Sequence, residues 1–363
     1  MKVLQIINSL GTGGAEKLLL DTIPLYRKSG IEMDILVILD NDFPFLEALK
    51  NLDCCKIYIL KKSNNYKYIY NPLHIFRIKK ILKYYDLAHV HLFPALYFTV
   101  FANIFNGSKT KLIFTEHNTS NRRIRNKKML FLERFVYNRY HYLVCITEEI
   151  KKIYTSYLGD MFPKIVIQNG VDISKYADAT SIPKDTFFTN DDFLLIQVSS
   201  FREQKDQQTL IKSLRYLPEN IKLLLVGDGG LREACENLVS ELQLQSRIKF
   251  LGIRTDIPQL LKTADVVVLS SVYEGLSLSS IEGMSARPFV ASDVPGLRGA
   301  VKNHGLLFKQ GDSEELANLV LKLYQDKEFY DNIADKCLER AKEFDIQKMV
   351  DSYIEVYREI VES

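Results

Sequence analysis

The chain has 363 residues, 47% of them hydrophobic and 26% charged. That balance excludes a disordered or fibrous chain, and the length favours two domains of about 150–190 residues over one. The formal net charge of +3 conceals a split, because residues 1–180 carry 26 Lys+Arg against 16 Asp+Glu while residues 181–363 carry 22 against 29. A basic first half and an acidic second half point to an anionic partner for the first.

Val3–Ile7 is apolar and reads as a strand. It runs into Gly11-Thr12-Gly13-Gly14-Ala15-Glu16, after which Ala15–Ser29 has helical spacing. Gln5 and Asn8 interrupt the short apolar start too early for a signal peptide. Strand patterns follow at Asp34–Leu39, Ile57–Leu60, Leu87–His91, Lys111–Thr115, Tyr142–Ile146 and Lys164–Ile167. The most membrane-like stretch, Leu92–Phe105, contains Pro94 and Asn103. It is shorter than the about 18–20 residues a span requires, so a buried helix is expected. From Asp178 to Asp192 periodicity fails around Pro183, and residues 177–192 read as a linker.

Alternation then restarts. Strands are expected at Phe193–Val198, Lys222–Val226, Ile248–Phe250, Val266–Leu269 and Phe289–Ala291. Helices are expected between them at Gln207–Leu217, Leu231–Leu242, Ile257–Thr263 and Ser279–Ala286. Ser313–Asp326 and two further helices, about 328–343 and 346–362, finish the chain. The fold class is therefore α/β, with two Rossmann-like units at 1–176 and 193–343 and a C-terminal segment, 344–363, expected to return to the first. Ligands of such sheets bind at the carboxyl ends of strands.

Several loops fall at those ends. Gly13 and Gly14 let backbone approach a phosphate at a helix start, but Glu16 stands where a dinucleotide fingerprint wants a third glycine. Gly227-Asp228-Gly229-Gly230 has the same form, with Arg232 in the third place. Ser199 opens the loop that carries Arg202 and Lys205, two cations suited to a diphosphate. Glu274-Gly275-Leu276-Ser277-Leu278-Ser279 joins a strand to a helix that holds Glu282. Its amides suit phosphate, and its carboxylates suit sugar hydroxyls. His117 follows a first-half strand.

Other patterns carry less. His89-Val90-His91 lacks companion ligands and reads as core, and Asp40-Asn41-Asp42 reads as a polar turn, so no metal site is expected. Five scattered cysteines without a CxxC pair suggest reduced thiols and a cytoplasmic chain. P-loop and α/β-hydrolase motifs are missing from the sequence.

In order along the chain stand Gly13-Gly14-Ala15-Glu16, Thr115-Glu116-His117-Asn118, Asn169-Gly170-Val171-Asp172, Arg202 with Lys205, Gly227-Asp228-Gly229, Glu274 with Glu282, and Asp293-Val294-Pro295-Gly296. Together they resemble the retaining glycosyltransferases of family GT4, whose GT-B fold sets two Rossmann-like domains across a cleft. The chain departs from that family at Arg287, where glycine is usual, and at Ser277, where proline is frequent.

The resemblance implies a transferase that takes a nucleotide-sugar donor, UDP-linked by family frequency, without a metal or other cofactor. It implies that Arg202 and Lys205 hold the diphosphate, helped by Ser199, Gly229 and the amides of Leu276, Ser277, Leu278 and Ser279. Gly13 and Gly14 would offer backbone from the first domain. Glu282 would accept from the ribose, Glu274 and Gly275 would face the transferred sugar, His117 would flank the reacting carbon, and Arg254 would lie near the nucleobase. Arg202, Lys205, His117 and Glu274 are the catalytic set so implied.

The acceptor domain of that family is the basic one here: Lys56–Arg139 carries 17 basic and three acidic residues. Within it, segment 120–139 sets Arg122, Arg123, Arg125, Lys127 and Lys128 beside Met129-Leu130-Phe131-Leu132, which suits peripheral contact with an anionic membrane. Nucleic acid is not expected, since no RNA or DNA module accompanies the charge. The acceptor is expected to be a saccharide or a lipid-linked saccharide. A nucleotide-sugar epimerase of the same fold and a non-catalytic sugar-binding protein stay open as alternatives.

Overall fold

The computed structural model describes residues 1–11, 13–117, 123, 129–160 and 162–363. The chain divides into two units, Met1–Gly170 with Ile346–Ser363, and Val171–Asp345.

The first unit runs β1 (Lys2–Ile7), α1 (Gly14–Lys28), β2 (Glu32–Asp40), α2 (Pro44–Asn51), β3 (Ile57–Lys62), α3 (His74–Leu82), β4 (Leu87–His91), α4 (Ala95–Ile104), β5 (Lys111–Glu116), α5 (Leu130–Tyr137), β6 (Tyr142–Cys145), α6 (Glu148–Leu158) and β7 (Lys164–Val166). Its sheet has the order β3-β2-β1-β4-β5-β6-β7 with parallel pairing throughout. Helices cover such a sheet on both faces, so central strands read as unbroken apolar runs; Val3–Ile7 apart from Gln5 and Leu36–Leu39 do. The α4 segment is a buried helix, and none of the described helices is long and apolar enough to cross a membrane.

The second unit opens with α7 (Ile173–Ala177) and continues with β8 (Phe193–Val198), α8 (Gln207–Ser213), β9 (Ile221–Val226), α9 (Arg232–Glu241), β10 (Ile248–Gly252), α10 (Ile257–Thr263), β11 (Val266–Leu269), α11 (Leu278–Ala286), β12 (Phe289–Ser292), α12 (Pro295–Val301), β13 (Leu306–Phe308), α13 (Ser313–Gln325) and α14 (Lys327–Lys342). Its parallel sheet has the order β10-β9-β8-β11-β12-β13. In both sheets the order reverses beside the first strand, between β1 and β4 and between β8 and β11, and that reversal opens a crevice for ligand.

Two boundaries differ from the sequence reading. Residues 177–192 fall within the second unit, where Phe187 is buried in the core and the Ile182 amide donates to Thr263 Oγ1 at 2.7 Å. The polar composition that suggested a linker reflects a surface strap tied down at a few points. The unit already begins at Val171, whose amide donates to the Phe344 carbonyl at 2.9 Å. Asp172 caps α7 by accepting from the Lys175 amide at 3.2 Å.

The last helix, α15 (Ile346–Glu362), belongs to the first unit. It buries Met349, Val350, Tyr353, Ile354, Tyr357 and Ile360. Their helical spacing makes one apolar stripe. Tyr357 packs against Tyr26 of α1 with ring centroids 5.8 Å apart.

Candidate active site

In the second unit the site grows from the ends of β8 and β11. Lys205 lies in a short 3-10 turn, Glu203–Lys205, after β8, and its ammonium pairs with Glu274 Oε1 on the loop after β11. Both side chains are largely enclosed, at 17% and 7% exposed. Ser271 Oγ donates to the same carboxylate oxygen at 2.7 Å. The pair sets a cation and a carboxylate side by side at the sheet end.

A buried polar network holds Lys205 in place. Its carbonyl accepts from Gln197 Nε2 at 3.0 Å and from Ser270 Oγ at 3.2 Å. Ser270 Oγ also lies 2.9 Å from Gln197 Oε1 and 2.8 Å from the Asp206 carbonyl. Asp206 itself adopts a left-handed backbone, with φ 40°, and caps α8 through Thr209. A non-glycine residue in that region stores about 1–3 kcal/mol, which the surrounding bonds must offset. Gln207 and Gln197 both donate to Ser199 Oγ at 3.0 Å. Arg202 is exposed and enters no ion pair among the described residues.

The glycines here serve backbone contact. Gly227 and Gly229 have φ of 128° and 154°. A Cβ at Gly227 would lie 2.2 Å from the Ser199 carbonyl oxygen, and one at Gly229 would lie 2.5 Å from that of Phe201. The Gly227-Asp228-Gly229 loop therefore braces the loop of Arg202, and the Phe201 amide donates to the Asp228 carbonyl at 3.0 Å. Gly275 is not among the residues with left-handed backbone; what its loop requires is Gly296, above which the Glu274 and Gly275 carbonyls sit.

Ser277 precedes α11, and the first amides of that helix, Leu278 and Ser279, have no intrahelical acceptor. Glu282 follows one turn in, buried, and accepts from Tyr176 Oη at 2.8 Å. Arg254 is exposed and pairs with Asp256. Arg287 donates Nε to the Ala264 carbonyl at 2.8 Å and also bonds the Lys262 carbonyl. It thus caps the end of α10.

In the first unit, Gly13 caps α1 and Gly14 begins it, both exposed. Burial raises the Glu16 carboxyl, whose oxygens lie against Gly13. His117 lies just past β5, half-buried, with Nε2 3.0 Å from His91 Nδ1. His91 is buried, in keeping with the core packing read from the sequence, and it also bridges His117 to Gln5, which lies 2.8 Å from His91 Nε2. Asp40 is buried at the end of β2 with Lys62 at 3.6 Å. Asn118, and Arg122, Arg125, Lys127 and Lys128 of the basic segment, lie outside the described residues.

Residues 178–343 match the family described as glycosyl transferases group 1, and residues 12–175 match glycosyltransferase family 4. The chain belongs to this glycosyltransferase family. A glycosyltransferase of Methanocaldococcus jannaschii is 26% identical over 84% of this chain and 85% of its own. A galactosyltransferase of Escherichia coli, named for UDP-Gal and α-D-GlcNAc-diphosphoundecaprenol, is 31% identical over 60% of each chain. The fold matches crystalline Anabaena HepE in complex with UDP, with a TM-score of 0.83 at 24% identity over 99% of this chain and 100% of that one. That likeness gives this glycosyltransferase the GT-B type of fold.

Sequence reasoning missed Gln197, Ser270, Ser271 and Tyr176 in this glycosyltransferase. The first three carry a readable signal, since polar side chains ending apolar parallel strands mark the ligand edge. Tyr176 carries none, because its partner lies 106 residues away.

Burial also makes this glycosyltransferase sensitive to acid. It lowers His89 and His91 well below their ordinary range and His117 to about 4. Unfolded, each takes a proton near 6.5. Below that value the unfolded chain binds more protons than the folded one, so acidification destabilises. Glu133 works in the opposite sense, since burial raises it to about 7 and the folded state keeps its proton over the same range. Burial lowers His74 and His141 as well and raises Glu16, and five histidines outweigh two carboxyls, so Tm should fall between pH 7 and pH 5. Thermal denaturation across that range checks this, and a flat or rising Tm contradicts neutral buried imidazoles.

Proposed function

We propose that this glycosyltransferase moves a sugar from a UDP-linked donor to a saccharide or lipid-linked saccharide, with retention of anomeric configuration and without a metal. The observation that carries the reading is Lys205 meeting Glu274 at the crevice between β8 and β11, beside the start of α11. Support comes from HepE, crystallised with UDP and with UDP-glucose, and from the E. coli relative named for UDP-Gal and a diphosphoundecaprenol acceptor.

Breaking a sugar–phosphate bond puts growing negative charge on the diphosphate and positive charge on the ring. Arg202, Lys205, the Ser199 and Gly229 loops and the amides of Leu278 and Ser279 stabilise the first. Preset charge of this kind is usually the largest single contribution to rate. Glu274 holds Lys205 before donor arrives and accepts from hydroxyls of the transferred sugar afterwards. Glu282, fixed by Tyr176, accepts from the ribose, and the backbone near Arg254 faces the base. In the first unit the reading gives roles to the amides of Gly13 and Gly14 and to the ring of His117. The acceptor attacks from the face the nucleotide leaves, and a leaving phosphate oxygen takes its proton.

On the acceptor side we place peripheral contact with an anionic membrane at segment 120–139. Phe131 of α5 is 85% exposed beside that basic run, and an apolar side chain so placed suits a lipid interface. Flotation with anionic vesicles tests this, and equal recovery with neutral ones contradicts it.

The experiment for the main reading is a donor screen in excess chelator. UDP-, GDP- and ADP-sugars are incubated with the enzyme, and nucleotide release is measured with and without saccharide acceptors. UDP release dependent on acceptor supports the reading. Interconversion of the donor sugar without acceptor would establish the epimerase instead.

A further inference from the structure

Three histidines of the first unit join one hydrogen-bonded chain that ends on the C-terminal helix. His117 Nε2 lies 3.0 Å from His91 Nδ1, and His91 Nε2 lies 2.8 Å from Gln5 Oε1. Gln5 Nε2 faces Tyr357 Oη and Met33 Sδ, both at 3.4 Å. Tyr357 Oη lies 2.6 Å from His89 Nδ1, His89 Nε2 lies 2.7 Å from Thr115 Oγ1, and Thr115 Oγ1 lies 3.0 Å from Tyr353 Oη. Gln5, Met33, His89, His91, Thr115, Tyr353 and Tyr357 are all buried.

The direction of the bonds from Gln5 to His117 follows from one atom. A thioether sulfur accepts and does not donate. Met33 Sδ therefore faces the NH₂ of Gln5, which leaves the Gln5 carbonyl oxygen toward His91. That oxygen only accepts, so His91 carries its proton on Nε2 and has a lone pair on Nδ1. His117 must then donate from Nε2 and keep a lone pair on its own Nδ1. Gln5 then donates to Tyr357, and the hydroxyls of Tyr357, Thr115 and Tyr353 continue the chain through His89. Both ring nitrogens of His89 and of His91 meet a partner.

We infer that His91 and Gln5 are positioning residues that lock His117 as the neutral Nε2–H tautomer, with Nδ1 an open acceptor. Among the described residues no bond to His117 Nδ1 is recorded. Which ring nitrogen carries the proton is set by the bond the other nitrogen makes. The ring thus offers a lone pair and no charge to whatever lies before it. Tyr357 anchors the chain, so α15 contributes to the state of a residue far from it in sequence. The inference rests on the proposed role of His117 only for its effect on rate; the tautomer stands on geometry alone.

Long-range ¹H–¹⁵N spectra of the ¹⁵N-histidine-labelled protein read each tautomer directly, with His117→Ala used for assignment. The wild-type His117 and His91 signals should both be those of Nε2–H. His91→Phe fills the space but removes the acceptor, so both His117 tautomers should appear. Its kcat should fall about tenfold or more while the donor KM stays within about twofold. His91→Asn returns an acceptor at the Nδ1 position and should restore the single tautomer and most of the rate. Should His91→Phe fail to fold, the wild-type and His91→Asn spectra decide. A wild-type His117 protonated on Nδ1, or an unchanged tautomer and kcat in folded His91→Phe, overturns the inference. Full turnover in His117→Ala overturns the catalytic reading alone and leaves the tautomer assignment intact.

Discussion

Lys205→Ala is expected to lower kcat by about 10²–10³, the usual effect of removing one preset stabiliser of developing negative charge. The ammonium is held by its backbone network and by Glu274, so it requires little rearrangement as the diphosphate departs. The substitution also leaves the Glu274 carboxylate enclosed without its cation, with only Ser271 as a recorded partner. That should reduce stability by about 1–3 kcal/mol. The double variant Lys205→Ala with Glu274→Ala separates the two effects. It removes the stranded charge, so Tm should recover, while turnover stays low. Steady-state kinetics and thermal denaturation on the three proteins check both halves. A double variant with recovered turnover would show that Lys205 serves only to neutralise Glu274.

Gly296→Ala should be nearly as damaging for a different reason. Gly296 lies in α12, where alanine is favoured over glycine by about 1 kcal/mol. A Cβ there would sit 2.1 Å from the Glu274 carbonyl oxygen and 2.4 Å from that of Gly275. Those are backbone atoms, which cannot rotate aside, so the loop must move by more than the propensity gain can offset. A displacement of about 1 Å at a reacting group can cost about 10²-fold in rate. We therefore expect a loss of turnover of that order together with a lower Tm. Gly299→Ala is the control, because the same helix offers that Cβ open space. It should keep full activity and gain up to about 1 kcal/mol of stability. Equal behaviour of the two variants would remove Gly296 as the support of the Glu274 loop.

The alternation of apolar runs and helical stretches made both sheets legible apart from the three-residue edge strand β13, because parallel strands are buried on two faces and tolerate few polar residues. The site loops were legible for a related reason: they fall where a strand ends and a helix begins. What escaped were contacts between positions distant in the chain. His91 looked like core because its partners, Gln5 and His117, approach only once β1, β4 and β5 lie side by side. Gly296 looked like part of a motif without a reason, since the carbonyls above it belong to the loop after β11. Residues 177–192 looked like a linker because a strap held by a few bonds and one buried phenylalanine has no period to read. Arg287 was legible only as a departure from the family pattern, and its bonds to the end of α10 give it a place.

The proposed nucleoside diphosphate site is built on Arg202, Lys205 and Glu282 of the second unit. Calorimetric titration of UDP into the full-length protein in excess chelator tests it without an acceptor or a turnover assay. One site per chain is expected, weakened about tenfold or more in both Arg202→Ala and Lys205→Ala, as loss of a charge-assisted contact implies. Unaltered UDP affinity in both variants, or no binding of any nucleoside diphosphate, would contradict it.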